Sequence, residues 1–296
     1  MKKNFRIVLF ALIVSLIILL LPACTARGDE SSDRPIDIAS FFIFPEKTEE
    51  EVEYHVTGDG TIEITGYSDS STRIEISIPD EIKGHKVTVI KDFSLFNTDT
   101  LQRIRIGKNV KEIGNWALTN NKSMKEFIVD EQNEYFTAVG GVLFTKDKKT
   151  LVCYPTAKNV EIDRYGQTTD TTTYVVPEGT ETIRARAFYR CGYLTEVKLP
   201  SSVKTIEEMA FHRCEKMASI NLPQGLENIG KDAFTYCYGL TEIVFPASLK
   251  RIDTYAFSFC ENVRRIKFLG GKENVSLADK WEPTRDGQKI KDLVIE

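Results

Sequence analysis

Apolar positions in the second half of the chain recur at a fixed interval of 23 residues. Four segments of this length lie end to end, at 180–202, 203–225, 226–248 and 249–271. Each has isoleucine at its fourth position, an Ala-Phe pair at its eighth and ninth positions, and cysteine at its twelfth. Unrelated columns that share one spacing predict a solenoid, because a single coil cannot bury its apolar side alone, whereas stacked coils bury it against each other.

Each copy ends in a short segment that alternates between apolar and charged residues. Val197 and Leu199 alternate with Glu196 and Lys198, which is the period of a half-buried strand. Pro200 follows, and proline stops a strand because it cannot donate to the ladder. We therefore expect one such strand per coil, and about eight or nine coils would form a rod of roughly 40 Å.

Two weaker copies, 87–109 and 110–132, lie upstream, and residues 133–179 interrupt the 23-residue count. Within this irregular unit we expect a hairpin over 140–155 with Asp147 at its turn, a polar loop over 163–173, and a returning strand from Tyr174. A second hairpin turn is expected over 58–60, where two glycines flank an aspartate.

Composition and charge exclude few classes of protein, but they do not favour a nucleic-acid-binding protein. The 296 residues carry 39 Lys and Arg against 43 Asp and Glu, a formal net charge of −4. Loss of the first 23 residues would remove Lys2, Lys3 and Arg6 and bring the net charge to −7. Nucleic-acid-binding proteins present a basic stripe, so we expect no nucleic-acid partner.

The amino terminus has the order of an export signal. A basic segment up to Arg6 precedes the apolar run 7–21, and Leu21-Pro-Ala-Cys24 follows. This ending resembles a bacterial lipobox, which implies a signal peptide at 1–23, a lipid on Cys24 that holds the protein to the membrane, and an acidic, Ser-rich tether over 24–51. The alternative is an uncleaved helix over 7–26, which is long enough to span a bilayer. Both place the remainder outside the cytoplasm.

The repeat itself resembles a known family. The pattern Ile-x-x-x-Ala-Phe-x-x-Cys-x-x-Leu-x-x-Ile-x-Leu-Pro is similar to the BspA-like leucine-rich repeats of bacterial surface proteins, and the resemblance covers about residues 54–271. It implies an α/β-type repeat solenoid over 52–271, built mostly of short strands with turns and short helical segments. Residues 272–296 leave the pattern, and we expect them to form a cap or tail in which Trp281, Ile290, Leu293 and Ile295 cover the open end.

Five cysteines besides Cys24 lie in the exported part, so disulfides have to be considered. Residues in register on stacked coils would lie about 5 Å apart with parallel side chains, whereas a disulfide needs Cβ atoms about 3.8 Å apart that face each other. The same column holds Thr98 and Asn121 upstream, and all three residue types have a donor that can reach a backbone carbonyl. We expect a buried ladder of free thiols, with occasional bridging as the alternative, formed by Cys191, Cys214, Cys237 and Cys260.

Outward-facing residues of the strands form two rows across the coils, and these rows are the remaining candidates for function. Their mixed signs are typical of a solvated face. The alternative is a partner surface, since solenoids commonly present broad rows to proteins. The candidate partner-binding residues are Arg103, Arg105, Lys198, Asn221, Arg264, Arg265 and Lys267, and the densest basic group adds Lys250 and Arg251.

Catalytic and metal-binding motifs are absent from the sequence. It contains no Gly-x-Ser-x-Gly, no phosphate loop, no His-Glu-x-x-His and no Cys-x-x-Cys. His212 is expected to be exposed in a coil turn. We therefore expect no enzyme, metal or cofactor, and an enzyme would need a cleft near 133–179.

Two hypotheses remain. One is a lipid-anchored surface module for adhesion or recognition of an extracellular protein or glycan, strengthened by many copies on one membrane. The other is a structural spacer or envelope-assembly lipoprotein without a soluble ligand. No feature of the sequence predicts the oligomeric state.

Overall fold

A computed structural model describes residues 46–47, 52–67, 73–160 and 172–296. These residues form a β-solenoid of about nine coils of 23 residues, and most coils contribute one longer and one two-residue strand. The strands, numbered in chain order, are β1 (Glu46–Lys47), β2 (Val52–Val56), β3 (Ile62–Tyr67), β4 (Glu75–Ile78), β5 (Glu81–Ile82), β6 (His85–Ile90), β7 (Arg103–Ile106), β8 (Glu112–Ile113), β9 (Glu126–Val129), β10 (Phe136–Val139), β11 (Val142–Thr145), β12 (Thr150–Cys153), β13 (Thr172–Val175), β14 (Thr182–Ile183), β15 (Leu194–Lys198), β16 (Thr205–Ile206), β17 (Ser219–Asn221), β18 (Asn228–Ile229), β19 (Glu242–Phe245), β20 (Arg251–Ile252), β21 (Arg265–Phe268), β22 (Ser276–Leu277), β23 (Thr284–Arg285), β24 (Gln288–Lys289) and β25 (Val294–Ile295).

Parallel ladders connect equivalent positions of successive coils. Ile183 pairs with Ile206, Ile206 with Ile229, and Ile229 with Ile252, each a step of one repeat. The short strands thereby join one sheet of order β10-β11-β12-β14-β16-β18-β20-β22. Nine other strands form three sheets of three, β4-β7-β9, β13-β15-β17 and β19-β21-β25. At the amino end, a six-stranded sheet has the order β1-β2-β3-β6-β5, with β8 paired to β6.

The repeated phenylalanine forms the axis of the core. Phe188, Phe211, Phe234 and Phe257 are fully buried. Successive rings stack with centroids 4.7, 5.1 and 4.9 Å apart and planes within 11° of parallel. Tyr154 of the irregular unit extends the stack, 5.0 Å from Phe188. Each ring therefore depends on the coils on both sides of it.

The expected α/β character and short helical segments are wrong. Over the described ranges, helical structure is limited to one 3₁₀ turn at Lys272–Asn274. The segment between strands is a series of turns, in which the Ala187 and Cys191 amides donate to carbonyls three residues back. Arg186 and Arg190 hold left-handed conformations, with φ of 63° and 59°, so no run of right-handed residues is long enough for a helix. The same conformation recurs one, two and three repeats later, at Met209, Arg213, Asp232, Tyr236, Tyr255 and Phe259.

The irregular unit contains the expected hairpin. β11 pairs antiparallel with β12, and Asp147 at the turn accepts hydrogen bonds from the Thr145 hydroxyl at 2.7 Å and the Lys149 amide at 3.0 Å. Both faces of the hairpin are buried, because Phe144 packs into the downstream core and Leu143 into the upstream core. The unit therefore joins two hydrophobic cores.

Boundaries at the amino end and in the loop differ from expectation. β1 pairs antiparallel with β2, so the tether predicted to run to residue 51 contains a strand at 46–47. The hairpin turn at 58–60 joins β2 and β3 as expected. β13 begins at Thr172, two residues before the predicted strand, and the rest of the polar loop lies outside the described residues. The signal peptide and Cys24 also lie outside them and remain predictions.

The carboxy-terminal segment departs from the repeat in sequence but continues it in structure. β22 pairs in parallel with β20, and β25 with β21, so the segment extends both ladders. Trp281 is buried against the last coil, with Leu293 and Ile295 partly buried beside it, and Ile290 is buried as well. Residues 272–296 therefore complete a further, irregular coil.

Candidate functional site

The basic residues predicted on the first strands are bound to one carboxylate. Arg103 Nε lies 2.8 Å from a Glu75 oxygen, and Arg105 Nε contacts the other oxygen of the same group. These hydrogen bonds hold the pKa of Glu75 below its usual range. Arg105 is exposed and the other two side chains are partly exposed, so the pairs add little stability. Their charge is nevertheless neutralised within the sheet.

The remaining predicted residues are largely occupied in the same way. Lys198 lies 3.6 Å from Glu196, Arg264 lies 3.6 Å from Asp292 of the tail, and Arg265 lies 4.0 Å from Glu242. The side chain of Asn221 is bound to the backbone of Leu199, donating to its carbonyl at 2.9 Å and accepting from its amide at 2.8 Å. Of the seven predicted residues, Lys267 is the one without an ion pair or side-chain hydrogen bond to any described residue.

A second row of charge, beside the two-residue strands, is also internally paired. Glu181 binds Lys149 at 2.9 Å on one side and Lys204 at 3.2 Å on the other, and Lys250 binds Glu227 at 2.9 Å. Opposite charges thus alternate from coil to coil at this position. The strand side of the solenoid is therefore a mostly self-neutralised surface, which is weak support for a specific partner site there.

The cysteine ladder lies in the core as a set of hydrogen-bond donors. Cys191, Cys214, Cys237 and Cys260 are free and fully buried. The thiols of the last three donate to carbonyl oxygens 26 residues back, those of Phe188 and Phe211 at 3.2 Å and that of Phe234 at 3.0 Å. In the same column, the Asn121 amide donates to the carbonyl of Leu95, also 26 residues back, at 2.7 Å. Burial raises the pKa of these thiols, to about 12 for Cys260.

The turns present a different surface, a continuous row of aromatic rings. We call the row the aromatic ridge. Neighbouring rings contact each other from coil to coil, with centroids 4.6–5.8 Å apart. Phe93 is 60% exposed and the others are half-buried. The ridge consists of Phe93, Phe96, Trp116, Tyr189, His212, Tyr236 and Phe259. A contiguous, partly exposed aromatic row of this kind is typical of interaction surfaces.

Three arginines of one coil reach across the irregular unit to the coil at 110–132. Arg184 Nη2 donates to the carbonyl of Ile113, the Arg186 guanidinium lies 4.2 Å from the Trp116 ring centroid, and Arg190 Nη1 donates to Asn120 at 2.9 Å. These contacts span about 70 residues of sequence and bring the two halves of the ridge together.

His212 was expected to be exposed, but its side chain is half-buried. Its ring is half-buried between Tyr189, stacked at 5.3 Å, and Tyr236, edge-on at 5.5 Å. Burial and, to a smaller extent, the positive charges of Arg213 and Arg190 together lower its pKa from 6.5 to about 4. Arg190 and Arg213 therefore place positive charge beside the centre of the ridge, although the chain as a whole is acidic.

The sequence analysis missed the ridge and its arginines because they occupy several columns of the repeat. Tyr189 and His212 directly follow the core phenylalanine, whereas Tyr236 and Phe259 follow it by two residues. A search for one column would not find them. An excess of aromatic and arginine residues anywhere in the turn segment was the available signal.

Neither a metal site nor a membrane span is found in the part of the chain that the structure describes. No group of three or more His, Cys, Asp or Glu side chains there is arranged to hold a metal ion. No helix among those residues is long and apolar enough to cross a bilayer.

Comparison with known families identifies the repeat. The model described as "BspA type Leucine rich repeat region" matches six copies, over residues 60–152 and 158–277. The chain belongs to the BspA-type leucine-rich repeat family. The match includes β22 of the carboxy-terminal segment and indicates no enzyme family. No curated protein matches the chain.

Solved structures match the chain at low sequence identity. The pneumococcal vaccine antigen PcpA aligns with a TM-score of 0.56 and 22% identity over 75% of this chain and 67% of PcpA. A leucine-rich cell-surface protein from Faecalibacterium prausnitzii A2-165 aligns with a TM-score of 0.48 and 16% identity, over 81% of this chain and 94% of that protein. The likeness to PcpA supports the leucine-rich repeat fold.

Proposed function

We propose that this BspA-type protein is a lipid-anchored recognition module of the bacterial surface, which binds an extracellular protein without covalent chemistry. The observation that carries the proposal is the aromatic ridge, whose rings cross the coils on the turn side. Its support from sequence is the lipobox-like segment ending at Cys24, which would hold the solenoid outside the cytoplasm.

The two sides of the solenoid differ in what they offer a partner. The strand rows carry charges that are already paired with each other, so a partner would have to break these pairs to use them. The ridge carries aromatic side chains, which lose little conformational entropy on binding and dominate protein interfaces energetically. Many copies on one membrane would add avidity.

The test compares ridge and strand variants in one binding assay. Full-length protein in detergent is titrated against extracellular-matrix proteins and the surface proteins of its own organism. The ridge variant carries Phe93→Ser and Tyr236→Ser, and the control Val244→Ser changes an exposed apolar residue of the strand side. We expect the ridge variant to weaken a saturable interaction at least about tenfold and the control to leave it unchanged.

Other outcomes reject parts of the proposal. An interaction that is lost in a variant carrying Arg265→Glu and Lys267→Glu, but not in the ridge variant, moves the site to the strand rows. No saturable interaction in the micromolar range favours the structural spacer or envelope-assembly role over recognition.

A further inference from the structure

A cleft opens beside the ridge where the irregular unit interrupts the stack of coils. Its volume is about 240 Å³. This is below the usual range of sites for drug-sized ligands, about 300–1,000 Å³, and suits one small group. The polar and aromatic residues that line it are Asn120, Lys122, Thr156, Arg190, Tyr193, Arg213 and Glu215.

Positive charge exceeds negative charge in this lining, with three cations against one carboxylate. Lys122 pairs with Asp99 outside the cleft at 3.1 Å, and both side chains are more than half exposed. Arg213 is 3.4 Å from Glu215. Arg190 makes no ion pair with any described carboxylate, and one of its guanidinium nitrogens donates to Asn120 at 2.9 Å. Most of its five N–H donors therefore remain for a ligand.

Arg190 and Arg213 occupy the same position of successive coils. The Arg190 amide donates to the carbonyl of His212 at 2.8 Å, which fixes the two backbones one coil spacing apart, about 5 Å. Arg213 already pairs with Glu215, whereas Arg190 has no carboxylate partner among the described residues, so an anion in the cleft would supply one.

The planar groups in the cleft indicate what kind of anion would fit. A guanidinium fork binds a carboxylate through two parallel hydrogen bonds, which a point charge such as lysine does not provide. Tyr193 is half-buried in the wall and offers an apolar ring with a polar tip. A protein partner would need about 800 Å² on each side, far more than the cleft presents. The lining therefore favours a single acidic sugar over an acidic protein segment.

We propose that this cleft binds the carboxylate of an acidic sugar, with Arg190 and Arg213 on the carboxylate and Tyr193 beside the sugar ring. The site goes beyond the protein-binding role of the ridge. Tyr236 of the ridge lies 4.4 Å from the Arg213 guanidinium, whereas Phe93 lies outside the cleft lining, so Phe93 is the ridge residue that separates the two roles.

The experiment measures binding of small acidic glycans to the full-length protein in detergent by isothermal titration. The two carboxylated probes are trigalacturonic acid and sialyllactose, which separate uronic from sialic acid sources. Lactose is the neutral control and tetraglutamate is the acidic peptide control. Arg190→Gln keeps a donor for Asn120 but removes the charge, and Arg265→Gln is the matched change on the strand side, where Arg265 is 58% exposed.

We expect one of the carboxylated sugars to bind and lactose not to bind. Arg190→Gln should weaken binding about tenfold or more, because a hydrogen bond between charged groups is lost, while Arg265→Gln leaves it unchanged. Arg190→Lys should restore only part of the affinity, since it returns the charge without the fork.

Three results would overturn the proposal. Tetraglutamate binding as tightly as the sugars, with the same loss in Arg190→Gln, would assign the cleft to acidic peptides. Equal loss in Arg190→Gln and Arg265→Gln would reduce the effect to overall charge. No binding of either sugar at millimolar concentration, by a protein whose thermal unfolding is normal, would reject the site. Phe93→Ser leaves sugar binding intact in every case, so failure of the ridge is distinguishable from failure of the cleft.

Discussion

Replacing Cys214 tests whether the buried thiols are kept for their hydrogen bonds or for their volume. The Sγ atom is fully buried and donates to the Phe188 carbonyl, which also accepts from the Cys191 amide at 3.1 Å. Alanine would remove apolar volume worth about 0.8 kcal/mol and one hydrogen bond worth about 0.5–1.5 kcal/mol. With a small cavity left behind, we expect Cys214→Ala to lower the free energy of unfolding by about 1.5–2.5 kcal/mol.

Serine and valine separate the two contributions, and Cys153 is the matched control. Cys153 is also buried, but its Sγ atom lies 3.9 and 4.0 Å from the carbonyl oxygens of Tyr154 and Leu118, so its hydrogen bonds are weak. We expect Cys214→Ser to be more stable than Cys214→Val, and Cys153→Val to be more stable than Cys153→Ser. The assay is urea denaturation with a constant m value. If the valine variant is the more stable one at both positions, the buried thiols contribute through their volume alone and their hydrogen bonds do not stabilise the fold.

Three further predictions concern the turn side and the core. His212 is protonated near pH 6.5 in the unfolded chain but only near pH 4 in the native protein, so the free energy of unfolding should fall by about 1–2 kcal/mol between these pH values. The urea midpoint should therefore drop more between pH 7 and pH 4.5 in the wild type than in His212→Phe, and an equal drop would contradict the lowered pKa. The cation–π pair should give a coupling of about 0.5–2 kcal/mol in a double-mutant cycle of Arg186→Met and Trp116→Leu, and strict additivity would mean that the pair does not bridge the irregular unit. Since burial raises their pKa, the five core thiols should react with a thiol reagent at pH 8 only after urea is added, and rapid labelling of the native protein would show that the ladder opens.

The repeat was readable from sequence because packing in a solenoid is the same in every coil. Ile183 and Phe188 recur at one spacing, since each contacts its own counterparts in the next coil, and this periodicity was sufficient to predict the parallel ladders. The conformation of the turn segments could not be predicted from the sequence. Arg186 and Arg190 adopt positive φ values although their residue type gives no such signal, so the segment resembled a short helix.

The candidate site was less predictable than the fold for a related reason. Its contacts run between coils and across the irregular unit, as for Arg190 with Asn120, which lie 70 positions apart. Charge in the strand rows was visible in sequence, but its pairing with Glu75 and Glu242 depended on the strand register. Residues 272–296 were predicted as a cap or tail with Trp281 over the open end, but their pairing with β20 and β21 was not predicted because they lack the 23-residue pattern.

The central claim is that the partner contacts the turn side of the solenoid, and a hydrogen-exchange footprint tests it most directly. Full-length protein is exchanged alone and in saturating complex with the partner found in the binding screen. The account predicts added protection in the turn segments 186–193, 209–216 and 232–239, with little change in β15, β19 and β21. Protection confined to those three strands would contradict it and place the partner on the strand rows.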